Sequence, residues 1–95
     1  MINHSKLTNI LHRIQTKKVL VLGDIMLDQY IFGSVERISP EAPIPIININ
    51  KTKYLTGGAG NVLKNLNSLN IKASFISIIG NDIAGKTLKK NIEKL

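Results

Sequence analysis

The stretch KKVLVLGD, residues 17–24, decides the fold class. Four consecutive apolar residues, Val19 to Leu22, read as a strand buried on both faces, as in a parallel sheet covered by helices. The strand closes on Gly23-Asp24, and in open α/β sheets ligands sit beyond the carboxyl ends of strands. Asp24 and Asp28 both fall in that zone. A loop aspartate is often only a turn former or cap, but two within five residues of a buried strand favour a polar binding site.

Outward from this strand the chain alternates helical and extended patterns. Upstream, SKLTNILHRIQT (5–16) sets Leu7, Ile10, Leu11 and Ile14 on one helical face, with Ser5 as the expected N-cap. Downstream, DQYIFGS and PIPIININ read as two strands joined by the rigid turn VERISPEAP. Pro40, Pro43 and Pro45 forbid a helix there and hold the segment near a sheet edge. Ile44 and Ile46 should share one face, and Ile47 and Ile49 the other. The hairpin, about 28–50, reads as a flap covering a site, a partner subunit or both.

Next, Thr56 is an expected cap for a helix running to about Ser68, with Val62, Leu63, Leu66 and Leu69 as its apolar face and Asn70 as its stop. KASFISII is a second buried strand. A last helix from DIAGKTLKKNIEKL should carry Ile83, Leu88 and Ile92 on one side. The order of elements predicts an α/β fold with a parallel sheet. Two strands cannot complete such a sheet, so the sequence reads as the front third of a larger domain.

Two glycine-rich strings invite a ligand. Gly57-Gly58-Ala59-Gly60-Asn61 puts glycines at a helix start, where backbone N–H groups face a ligand closely and Asn61 adds a donor and an acceptor. A tight turn with small residues explains the same string, and the spacing is not G-x-G-x-x-G. GNDIAGKT (80–87) matches the phosphate-loop pattern G-x-x-x-x-G-K-[ST]. Against a phosphate cradle stands β-branched Ile83, which resists the positive φ such loops use. No later strand supplies a magnesium-holding carboxylate. The plainer reading is a strand–turn–helix junction: Gly80 ends the strand, Asp82 caps the helix and Gly85 permits close packing.

Composition narrows the function classes. There are 95 residues and no cysteine, which removes disulfides and thiolate metal sites. His4 and His12 do not make a metal site. The apolar runs are far shorter than the ~20 residues of a membrane span, and the N-terminus lacks the apolar core of a secretory signal. A cytoplasmic protein without membrane partners is expected. The net charge is +7, which raises nucleic-acid association as one reading. The basic residues are spread from Lys6 to Lys94 without interleaved aromatics, which favours a solvated surface.

Taken together, VLVLGDIMLDQY (19–30), ERISPEAPIPI (36–46), GGAGNV (57–62) and IGNDIAGKTL (79–88) resemble the ribokinase-type (PfkB) carbohydrate kinases. Within them the resemblance is to the subgroup acting on D-glycero-β-D-manno-heptose 7-phosphate. It covers about 17–95; residues 1–16, the expected N-terminal helix, carry none of it. It implies the N-terminal portion of a ribokinase-like three-layer αβα domain with a β-hairpin lid. It also implies ATP and Mg2+ as cofactors, a sugar phosphate as substrate and a role in lipopolysaccharide core biosynthesis. Asp28 would bind sugar hydroxyls, with Gly57, Gly58 and Asn61 as a second sugar-binding element. Asp24 would belong to the same pocket, and Arg37 in the lid turn would contact a substrate phosphate. The lid would support a homodimer or pairing with a complementary C-terminal fragment.

The chain departs from the family pattern at Leu63, where a small residue is usual, and near Asn70, where glycine is usual. The family's catalytic aspartate, oxyanion-forming glycine turn and ATP-binding strands belong to a later part of the domain. A truncated or split gene, inactive alone, is therefore expected. A non-catalytic interaction module is the competing reading.

Overall fold

The computed structural model describes Met1 and residues 3–95. Its elements are α1 (His4–Gln15), β1 (Lys18–Leu22), β2 (Ile25–Ile38), β3 (Pro45–Gly58), α2 (Ala59–Ser68), β4 (Lys72–Ile76) and α3 (Ile83–Glu93). The chain is mixed α/β. β1 and β4 pair in parallel, with Lys18 opposite Lys72 and Leu22 opposite Ile76. β2 and β3 form a separate antiparallel hairpin.

The parallel pair is covered on one face only, which corrects the expectation of a strand buried on both. Val21 is buried and Val19 half-buried, while Leu20 and Leu22 are 60% and 74% exposed. Buried with Val21 among the described residues are Leu63 of α2, Ile71 just before β4, and Leu88 of α3. β4 stops at Ile76, short of the expected Gly80, and Ile78 is 90% exposed.

Helix faces are narrower than the sequence pattern suggested. In α2, Gly60 and Leu63 are buried and Leu66 half-buried, whereas Val62 and Leu69 lie exposed. In α3 the inward residues are Gly85, Leu88 and Ile92. Ile83 is 85% exposed because it sits about 200° around the helix from Gly85. Leu63, the departure from the family's small residue, fills the core.

Caps set the helix ends. Asn3, not Ser5, caps α1: its side-chain oxygen accepts from the Ser5 N–H at 3.1 Å. The Ser5 hydroxyl donates to the same oxygen at 3.0 Å. At the end of α2, Asn70 takes φ 57°. The Ile71 N–H reaches the Leu66 carbonyl at 3.0 Å and the Asn70 N–H the Asn67 carbonyl at 3.0 Å. This is a Schellman closure, with Asn70 in the left-handed position that glycine usually takes.

The hairpin extends beyond the expected 28–50 in both directions. Its strands run on to pair Ile25 with Gly58 and Met26 with Gly57, so Thr56 and the glycine pair belong to β3. Thr56 does not cap α2: it is buried and its hydroxyl accepts from Asn91 Nδ2 at 3.4 Å. Ile44 lies outside β3, in the turn before Pro45. The register shifts twice, leaving Asn50 extra in β3 and Glu36 extra in β2.

The accessible surface is 7898 Å², against about 5,400 Å² for a compact domain of this mass. The radius of gyration is 19.5 Å, where compact packing gives about 12 Å. The hairpin strands are largely exposed, and Leu20 and Leu22 leave one sheet face bare.

Replacing Asn70 tests the helix closure. Asn70→Gly is expected to leave stability within a few tenths of a kcal/mol, while Asn70→Val lowers it by about 1–2 kcal/mol, read from urea midpoints of the two variants.

Candidate functional site

The site is organised by the turn Gly23-Asp24-Ile25, which ends β1 and begins β2. The Gly23 N–H donates to the Ile76 carbonyl at the end of β4, at 3.3 Å. The Ile25 N–H donates to the Ser77 hydroxyl at 3.1 Å. The Asp24 carbonyl accepts from the Ala59 N–H, the first residue of α2, at 2.8 Å. Three backbone groups thus tie the sheet, the hairpin and the helix to one point.

Gly58 makes the junction possible. It adopts φ 59°, and a Cβ there would lie 2.6 Å from the Asp24 carbonyl oxygen. Gly57 serves differently: a Cβ on it would run into the Asp28 carboxylate. The Asp28 carboxylate therefore lies against the bare backbone of Gly57 at the end of β3. Among the described residues no side chain caps α2, so its first-turn N–H groups beyond Ala59 face the same region without a described side-chain partner. Asn61 is the third residue of that helix.

Five of the six residues named from sequence converge here. Asp24, Asp28, Gly57, Gly58 and Asn61 come from the β1–β2 turn, the base of β2, the end of β3 and the start of α2. Gly57 is buried, while Asp24, Asp28, Gly58 and Asn61 are exposed. Arg37 is not brought to this cluster. It pairs with Ile46 near the hairpin tip, nine residues beyond Asp28 and so about 30 Å away along the strand. Sequence reasoning missed Ser77. Its hydroxyl anchors the turn, but within ASFISIIG it reads only as a polar residue in a strand pattern.

A carboxylate accepts hydrogen bonds from two neighbouring hydroxyls, and helix-start N–H groups donate to oxygen. That combination suits a polyhydroxylated ligand.

The segment GNDIAGKT has the geometry of a capped helix, not of a phosphate cradle. Asp82 caps α3, its Oδ1 accepting from the Gly85 N–H at 2.8 Å. Its carboxylate occupies the place where an anion would sit. Neither Gly80 nor Gly85 has a positive φ, so the successive N–H groups are not turned inward. A Cβ on Gly85 would meet the Gly80 carbonyl, which marks a close backbone contact. This segment does not fit ATP.

Residues 16–95 match the sequence model of the pfkB family of carbohydrate kinases. The chain belongs to the pfkB carbohydrate kinase family. It is 54% identical over 78 residues to the bifunctional protein HldE of Campylobacter concisus, covering 82% of this chain and 16% of that protein. HldE of Caulobacter vibrioides is 52% identical over 77 residues, 81% of this chain and 16% of the relative. HldE of Rhodopseudomonas palustris is 41% identical over 90 residues, 95% of this chain and 18% of the relative. The chain thus spans less than a fifth of the length of these relatives.

The two readings of residues 80–87 separate cleanly by mutation. Asp82→Ala should cost about 1 kcal/mol through loss of the cap, whereas calorimetry should show no ATP binding at this loop for Lys86→Ala to weaken. A marked affinity loss in Lys86→Ala would restore the phosphate-loop reading.

Proposed function

We propose that this chain is the sugar-recognition part of a kinase that transfers the γ-phosphoryl group of ATP to the anomeric hydroxyl of D-glycero-D-manno-heptose 7-phosphate. The observation that supports it most is the Asp28 carboxylate lying over Gly57 beside an uncapped helix start. Asp28 accepts hydrogen bonds from sugar hydroxyls. Asn61 and the first-turn N–H groups of α2 contact the ring oxygens, and Asp24 fixes the floor through its backbone carbonyl. Mg2+ and the nucleotide are held by a further segment, in cis or in trans, that also supplies the catalytic aspartate. Positioning and charge stabilisation then carry the transfer.

Titration calorimetry with heptose 7-phosphate tests this assignment. Asp28→Asn should weaken binding by about tenfold or more, because removing a charged hydrogen-bond acceptor costs about 1.5–3 kcal/mol. Retained affinity would remove Asp28 from the site. Turnover of ATP dependent on heptose 7-phosphate, appearing when the remaining kinase segment is supplied, would establish the reaction.

The hairpin supports a second part of the reading. Pairing places Leu27, Ile31, Val35, Ile47 and Ile49 on one face, and all but Leu27 are exposed. We infer that this lid face packs against the lid of a second copy. Sedimentation velocity should then show a dimer that dissociates in Ile47→Asp, since a buried unpaired charge is strongly unfavourable. An unchanged dimer would place the contact elsewhere.

A further inference from the structure

Helix α1 lies outside the family match, which begins at residue 16, and the sugar-site reading makes no use of it. None of its residues is buried. At about 100° per residue, Leu7, Ile10, Leu11 and Ile14 form one stripe. Leu11, on one flank, is half-buried. Gln15, farther to that side, donates to the Leu69 carbonyl at 3.0 Å and holds the helix to the body. Leu7, Ile10 and Ile14, toward the opposite flank, are about two-fifths exposed.

The exposed flank is bordered by cations. Lys6 and Arg13 lie about 100° from the centre of the stripe, along its outer edge. Ile10, Arg13, Ile14 and Lys17 line one shallow apolar groove of ≈ 170 Å³. Lys18 follows, and the sequence holds no acidic residue before Asp24. Long basic side chains beside an apolar stripe lay their stems on hydrocarbon and their charges at a headgroup.

We propose that α1 docks on an anionic phospholipid surface, with Leu7, Ile10 and Ile14 entering the acyl boundary and Lys6, Arg13 and Lys17 meeting the phosphates. No helix among the described residues is long and apolar enough to cross a membrane; lying on one requires a single amphipathic face. Charge complementarity selects this occupant. A second copy would set the same cations against one another, because α1 carries no acid to receive them.

The test is co-sedimentation of the 95-residue chain with vesicles of phosphatidylcholine alone or mixed equally with phosphatidylglycerol. Binding should be about tenfold or more stronger to the anionic vesicles, from the attraction of several basic residues, and should fall with added salt. Ile10→Asn combined with Ile14→Asn should abolish it with the circular dichroism spectrum unchanged. Lys6→Gln with Arg13→Gln and Lys17→Gln should erase the anionic preference. Leu20→Thr with Leu22→Thr, on the bare sheet face, should change nothing. Equal or absent binding to the two vesicle types overturns the proposal. So does loss of binding in the sheet-face variant, or salt-insensitive self-association that the Ile10/Ile14 variant removes. None of these readouts depends on sugar binding.

Discussion

Everything in this fold turns on three hydrogen bonds made by the backbone of Gly23, Asp24 and Ile25. A strand leaving a parallel sheet exposes its last polar groups to whatever follows. Here they are taken by the end of β4, the Ser77 hydroxyl and the first N–H of α2. The direction of the hairpin, the start of the helix and the placement of Asp28 are fixed by the same few atoms. Gly58 is the structural consequence: no side chain fits between the Asp24 carbonyl and the helix at φ 59°.

That junction carries a small core. Among the described residues, Val21 of β1, Leu63 of α2, Ile71 just before β4 and Leu88 of α3 are its buried hydrophobic residues. The accessible surface, well above that of a compact domain of the same mass, locates the deficit. Leu20, Leu22 and Ile76 make a sheet surface that water meets directly, and Ile78, just past the end of β4, is barer still. Local hydrogen bonding is well satisfied while burial is incomplete, so the site geometry is held more by backbone pairing than by side-chain packing.

Much of this was legible in the sequence. VLVLGD gave a parallel strand ending at a polar turn, and GGAGN gave a helix start facing it, because glycine and periodicity are local signals. The expected exposure failed where partners decide it: Leu20, Leu22 and Ile83 are apolar by composition but bare in the structure. Asn3 displaced Ser5 as a cap because two competent cap residues stood two positions apart, and only geometry chooses between them. Thr56 read as a cap because it precedes glycines, yet strand pairing runs through it. For the site, residue type and spacing pointed to Asp24, Asp28, Gly57, Gly58 and Asn61, whereas the separation of Arg37 follows from a strand length that the proline-rich turn concealed.

The two irregularities in the hairpin give it a directional logic. Strand alternation alone would send Ile47 and Ile49 to the face that bears Asp28. The extra residue Asn50 resets the phase of β3 and keeps both isoleucines with Ile31 and Val35. The extra residue Glu36 does the reverse for β2 and turns Arg37 onto the Asp28 face. One ribbon therefore gathers Ile31, Val35, Ile47 and Ile49 on one face, while the other runs from Asp28 through Tyr30 and Phe32 to Arg37. Loss of either single residue would exchange those identities beyond the point of deletion without altering any side chain's chemistry. For this ribbon, length in residues is a stricter inheritance than composition.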